Sequence, residues 1–404
     1  MMKFPFKNKP KKVKNCLEEL LNGDREYIQA RHIILNDLKA NLDGEGISSK
    51  SNKHIHAVIA GTDRLCVSLA RQIALVAHYP NFDDNTGKNR GIITFLITQP
   101  ASNGPAALFS SLKENTGNLL DECQWKITRL ANGSMEIIDK CPHSKEYIDI
   151  EFEIISAGSI SEYIEYISSE ENSLTTFFCN KGTLDSACRR TIEGKFHNLY
   201  EIDRESIDAK AGDGLIDTTA AQWVNAIYIF GGSFKEIKTR DIYNVKNYNS
   251  ILSQFINIKT DVSAEWEKIG SANYTREYIN SLKLSNVYCA DTFMTKRRSI
   301  TSSDAYKHKK TPFSEIIHKE IKQMAYSEHT RWNVEKLMNG FRAYTALESY
   351  DDEFGLINRK EHKVNNMAHI NICSGDKLLR IDSESFKYDC FMVFAFNNIL
   401  EKLK

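Results

Sequence analysis

Between residues 54 and 232 the sequence repeats one pattern. A short apolar run without polar alternation is followed by a segment with helical spacing. The runs are 55–60, 91–97, 148–155, 174–179 and 198–202, and a further run, 223–230, is closed by Gly231 and Gly232. Helical segments fall at 65–76, 105–121, 161–168 and 184–193. Unalternating apolar runs suit strands covered on both faces. Strand–helix–strand succession requires right-handed crossovers and hence a mostly parallel sheet. Residues 125–138 hold an expected hairpin around Asn132-Gly133, a pair suited to a tight two-residue turn. The fold class expected is therefore α/β: a Rossmann-like, mostly parallel sheet over 54–235, with 223–230 as its last strand.

The 404 residues exceed one such domain. Residues 1–53 read as a basic tail with N-terminal helices. Six lysines with Pro5 and Pro10 occupy 1–14, and an apolar periodicity broken at Asn22-Gly23-Asp24 follows. Residues 236–311 read as a helical connector ending in a basic linker that includes Lys296, Arg297, Arg298, Lys307, Lys309 and Lys310. Pro312 opens a long amphipathic helix that stops near Gly340, and the chain ends in an apolar helix. Residues 312–404 are thus expected as a mainly α second domain, with a loop at 348–367.

Charge narrows the partners. Lys+Arg and Asp+Glu number 53 each, so the chain has no overall pull toward nucleic acid or anionic lipid. Long nucleic acid is therefore not expected as the main partner. No run approaches the ~20 apolar residues of a membrane span, and no signal peptide is visible. Nine dispersed cysteines with no C-x-x-C pair read as reduced thiols of a cytoplasmic protein.

Two segments carry candidate chemistry. Gly61-Thr62-Asp63 follows the first strand and opens a helix, where free N–H groups favour phosphate. Only the first glycine of a dinucleotide fingerprint is present, and Asp63 would repel a pyrophosphate. Gly61, Thr62, Asp63 and Gly104 are the candidate cofactor-binding positions. In layout this region resembles the TrkA-N Rossmann domain, the NAD-binding regulatory module of potassium-uptake systems. That resemblance implies an NAD-type ligand.

The second segment is 324–341. Steps of three and four place Ala325, His329, Trp332, Lys336 and Asn339 on one helical stripe. A Trp between His and Lys offers a stacking plate, a proton donor and a cation, the groups that hold a base beside a phosphate. The same stripe also suits a core Trp with a hydrogen-bonded His. The segment resembles the RyR domain, the repeat named after ryanodine receptors. His329, Trp332, Lys336, Gly340-Phe341, Tyr344, His369, Leu378 and Tyr388-Asp389 carry the likeness over about 311–403. The order of modules is similar to bacterial fusions of RyR domains behind TrkA-N-like domains.

What the resemblance implies is a non-catalytic sensor of a nucleotide-derived ligand, cyclic or NAD-derived, in phage defence or stress signalling. Trp332 or Tyr344 would stack a base, with Phe341 nearby, and His329, Arg331, Lys336 and His369 would meet phosphate or ribose. A homo-oligomer and an effector or membrane-protein partner are expected with it. The alternatives are an NAD-binding regulatory partner of an ion transporter or channel, and a nucleotide-processing enzyme. For the enzyme, no Walker lysine loop, nucleophile elbow or His-Glu-x-x-His is present. Asp203, Glu205 and Asp208 are of a type that binds Mg²⁺, but read as a solvated loop. No metal is expected.

Overall fold

A computed structural model describes residues 24–37, 42, 47–98, 104–131, 133–167, 172–211, 218–233, 261–271, 276–295 and 313–402. The basic tail at 1–15, the helix expected just after it, Asn132 and the basic linker at 296–311 lie outside the described residues.

The fold is mixed α/β. Its sheet comprises β1 (His54–Ala60), β2 (Gly91–Thr98), β3 (Trp125–Ala131), β4 (Ser134–Cys141), β5 (Ile150–Ala157), β6 (Ser173–Asn180) and β7 (Asn198–Ile202). The order is β4-β3-β5-β2-β1-β6-β7, and every neighbouring pair is parallel except β3–β4. That exception is the expected hairpin, with Ala131 opposite Ser134 across the turn. Between β1 and β6 the order changes direction, which makes their C-terminal ends the switch point of the sheet.

The central strands are apolar on both faces because both faces are covered. Ile55, Ala57 and Ile59 of β1, with Ile93 and Phe95 of β2, join the larger core. Val58 and Leu96 point the other way. They join Tyr163 and Ile164 of α5 (Ile160–Tyr166) and Ile192 of α6 (Ser186–Lys195) in a smaller core. The larger core is roofed by α2 (Arg64–Val76), which follows α1 (Arg25–His32) in sequence and packs on it. A short turn between α3 (Pro105–Thr116) and α4 (Leu119–Glu122) reaches the opposite half of the molecule. Gly117 there has φ +56°, and a Cβ would lie 2.6 Å from the Leu337 carbonyl. Asn118 then donates from its backbone N–H to that carbonyl (2.9 Å) and from its side chain to Gly340 and Phe341.

The run 223–230 is a correction: it lies in α8 (Thr219–Ser233), a helix. An apolar run of this kind has no period to separate a buried strand from a buried helix. Here Ala220, Ala221, Val224, Ala226 and Ile227 are buried, and α8 packs on α9 (Val262–Ser271), α10 (Arg276–Thr295) and the C-terminal helix.

The C-terminal part is built on α11 (Phe313–Met338) and α15 (Ser383–Lys402), which pack together, with α14 (Gly375–Ile381) beside them. Two residue pairs, β8 (Arg342–Ala343) and β9 (Ala368–His369), form a small parallel ladder. The expected loop at 348–367 instead contains α12 (Ala346–Glu353) and α13 (Arg359–Asn366). Neither buries a residue, so apolar periodicity carries no sign of them. Capping defines them instead: Thr345 and Glu348 form a reciprocal capping box, and Asn358 caps α13. Asp352 accepts from Arg359 and so ties the two helices together.

One apolar cluster runs from the sheet through α2, Val287 and Cys289 of α10, and Leu337 of α11 to Phe386 and Phe391 of α15. At its centre Asp291 has 0% exposure. It accepts from Arg31 Nη2 (2.7 Å) and Nε (2.9 and 3.1 Å) and from the Gln72 amide (3.1 Å). Removing one partner of such a buried pair leaves the other charge uncompensated. Asp291→Ala is therefore expected to lower unfolding free energy by about 3–5 kcal/mol, measured by urea denaturation.

Candidate functional site

A cavity of about 470 Å³ opens between α11, α13, β9 and α15, and Tyr228 of α8 contributes to its wall. The helical stripe of α11 supplies His329 and Trp332, the chain after β8 supplies Tyr344, and β9 supplies His369.

Hydrogen bonding fixes the two imidazoles in opposite charge states. His329 is buried, with Nε2 3.1 Å from the Cys373 carbonyl and Nδ1 3.3 Å from the Asp389 carboxylate. Both partners are acceptors, so both ring nitrogens donate. Burial opposes that charge, but hydrogen bonding to Asp389 and Cys373 outweighs it and lifts His329 to about 10. His369 accepts at Nδ1 from the Asn371 backbone N–H (3.1 Å). Burial, with Lys363, Lys336 and His329 nearby, lowers it to about 3 and keeps it neutral. The Trp332 ring lies against both: stacked with His329 at 5.7 Å and edge-on to His369 at 5.0 Å. Tyr344, Tyr388 and Tyr228 give the cavity further rings, the last two 5.9 Å apart.

The cationic side is α13. Arg359, Lys360 and Lys363 line the cavity. Arg359 is bonded bidentate to Asp352 at 2.8 and 2.7 Å. Among the described residues no carboxylate pairs with Lys360 or Lys363. Burial and the nearby Lys336 hold Lys363 below the ordinary lysine range. Opposite, Asp382 accepts from Ser385 and Asn371 and caps the start of α15. Rings and unpaired ammonium groups in one concavity suit an aromatic anion.

Four of the expected ligand positions, His329, Trp332, Tyr344 and His369, meet in this cavity. Three do not line it. Arg331 faces away, 0% exposed, and donates to Glu328 (2.9 and 3.0 Å) and Glu335 (2.9 Å), so no phosphate reaches it. Lys336 donates to Glu335 (2.9 Å) and sits 5.5 Å over the Trp332 ring. Phe341 packs against the main core. The residues that sequence reasoning missed are Tyr228, Arg359, Lys360, Lys363, Asp382 and Tyr388. Arg359, Lys360 and Lys363 fall at i, i+1 and i+4, a clustering of cations that helical spacing would have exposed.

The switch point of the sheet is arranged differently. Asp63 caps α2 by accepting from the Cys66 N–H (3.1 Å) and pairs with Arg204 at the start of α7 (Arg204–Ala211). The helix end expected to receive a phosphate thus holds the chain's own carboxylate. A Cβ on Gly61 would lie 2.7 Å from the Cys66 sulfur, so this glycine serves close packing. Thr62 is half-buried between them. Gly104 stands at the N-cap of α3 with open space around it and does not line the cavity. The loop expected at Asp203, Glu205 and Asp208 is a correction: Asp203 precedes α7, and Glu205 and Asp208 lie on that helix. Asp203 pairs with Lys181 at 2.6 Å and accepts from the Ser206 N–H, and Asp208 accepts from Arg25 and Gln29. Among the described residues no three His, Cys, Asp or Glu are grouped to hold a metal ion, and no helix is long and apolar enough to cross a membrane. No disulfide links the eight described cysteines.

No protein-family model, curated protein or solved structure matches the chain. The cavity therefore has to be interpreted from its own chemistry.

The His329–Asp389 pair gives stability a pH signature. His329 is lifted from 6.5 to about 10 on folding, so its contribution is complete below about 6.5 and is lost as pH rises through 10. Denaturant titrations at pH 6, 8 and 10 are expected to show this decline, and His329→Gln to flatten it. Asp389→Ala is expected to cost about 3–5 kcal/mol at pH 7 by leaving a buried imidazolium unpaired.

Proposed function

We propose that the chain senses a small nucleotide-derived anion, cyclic or NAD-derived, without transforming it. The observation that carries this reading is the meeting of aromatic rings and uncompensated lysines in one cavity: Tyr344 and Trp332 beside Lys360 and Lys363. A base stacked on a side-chain ring gains ~1–3 kcal/mol in nucleic-acid sites. Charge-assisted hydrogen bonds to phosphate add to that. His369 supplies a neutral Nε2–H donor, and Asp382 with Ser385 supplies acceptors for ribose hydroxyls.

The output is a change of state. Tyr228 brings α8 into the cavity wall, and α8 also packs on α10, which is anchored to α2. A ligand that binds one arrangement of these helices better shifts the population toward it. A role in phage defence or stress signalling, a homo-oligomer and an effector or membrane-protein partner follow from the RyR-like segment and belong to the same proposal. Described cysteines without disulfides are in keeping with a reducing, cytoplasmic setting. The NAD-regulated transporter partner is the weaker reading, because Asp63 and Arg204 occupy the position a pyrophosphate would take.

Calorimetry with NAD, ADP-ribose and cyclic nucleotides tests the proposal on the full chain. One of these is expected to bind, and Lys360→Gln/Lys363→Gln to weaken it at least tenfold, about 1.4 kcal/mol, with an unchanged melting temperature. Tyr344→Ala is expected to weaken it by a similar factor. Full affinity in the folded double variant, or no binding of any probe at millimolar concentration, would remove this site.

A further inference from the structure

A second cavity, of about 350 Å³, lies at the N-terminal ends of β2 and β5, where the sheet meets the helical half. Phe82, Asp84 and Asn81 come from the segment before β2, and Glu146 and Tyr147 from the segment before β5. Tyr326 of α11 and Asp376 of α14 form the facing wall. Nothing in the proposed nucleotide site uses these residues.

Its chemistry is acceptor-rich on both walls. Asp84, Glu146 and Asp376 face one another, and burial together with the charges of Asp376, Glu146 and Asp83 raises Asp84 above the usual carboxylate range. Asp83 is engaged in its own turn, accepting from Thr86 (2.6 Å) and the Asn85 N–H (3.1 Å). Asp376 accepts from the Tyr326 hydroxyl and has Lys322 at 3.6 Å. Lys50 also lines the cavity. Among the described residues no cation pairs with Asp84 or Glu146.

An independent observation points the same way. Asn81 is 7% exposed and lines the cavity. Its Nδ2 donates to the carbonyls of Ser51 (3.0 Å) and Lys53 (2.7 Å), which fixes the orientation of the amide. Its Oδ1 is then left without a donor among the described residues. A buried acceptor without a partner is costly, and a ligand bearing N–H groups would satisfy it. The aromatic lining favours alkylammonium groups over bare ions. Lys322 already sits 4.9 Å over the Tyr326 ring. The carboxylates are also not grouped to coordinate a metal.

We infer that this cavity binds an organic polycation of the polyamine class, which bridges carboxylates on the sheet side and the helical side. Occupancy would stabilise the contact between the two halves, because the ligand binds only where both walls are present.

Spermidine, titrated into the full chain by calorimetry and followed by thermal melting, is the test. Spermidine is expected to bind and raise the melting temperature, more strongly at low salt. Asp84→Asn/Glu146→Gln is expected to weaken binding at least tenfold. Glu146→Lys places an ammonium in the cavity, and is expected to raise the melting temperature and abolish the spermidine response. This second variant decides the matter if the first fails to fold. Lys360→Gln/Lys363→Gln is expected to keep the full response, which separates this site from the nucleotide cavity. No binding at millimolar spermidine, unchanged affinity in the folded acidic-site variants, or equal stabilisation by Mg²⁺ alone would overturn the inference.

Discussion

The carboxylate of Asp291 is the fixed point of this molecule. It lies within an apolar cluster yet holds a guanidinium from α1 and an amide from α2. One residue on, Thr292 donates to the Leu75 carbonyl at 2.9 Å, so α10 is pinned to α2 at two successive positions. Two walls of the cavity rest on α10. Tyr228 stands on α8, which packs on α10. His329 and Trp332 stand on α11, bonded to α10 through Ser285–Glu335 (2.9 Å) and Cys289–Glu328 (3.4 Å). A buried charge with every partner in place is tolerable, and it also admits only one arrangement of its neighbours.

Charges on α11 divide their work by face. Glu328, Arg331 and Glu335 point inward, one guanidinium shared between two carboxylates away from water. His329 and Trp332 point to the cavity, and Lys336 bridges the two faces by donating to Glu335 while covering the Trp332 ring. The positive charge that a ligand would meet comes instead from α13, a short helix held by its caps and by Asp352. The cavity's rings and cations thus sit on a long helix and on a lightly anchored short one. That combination suits a site whose shape responds to occupancy.

The opposite economy governs the switch point of the sheet. A doubly wound sheet leaves a crevice there, and helix N-termini nearby attract anions. Asp63 with Arg204 and Asp203 with Lys181 fill that role from within the chain. The fold is retained while the usual ligand position is closed, so topology alone says little about what this chain binds.

The strand–helix succession, the hairpin turn and the long helix ending at Gly340 were legible because period and turn chemistry are local. So was the grouping of His329 with Trp332, which a single helical stripe imposes. Three things were not. The run at 223–230 is apolar enough for either structure, and its neighbours α10 and α15 made it a helix. The residues of α12 and α13 bury nothing, so no hydrophobic period marked them, although the Arg359–Lys363 spacing was there to be used. Arg331 sits between a His and a Trp of the cavity and still faces away from it. Sequence by itself determined which residues share a helix face and which apolar runs could form strands, since both follow from local patterning. Only the tertiary structure decided which face of each helix met the cavity, which charges were neutralised, and which lysines stayed unpaired. Those outcomes depend on neighbours more than a hundred positions away in the chain, as Tyr228 and His329 are.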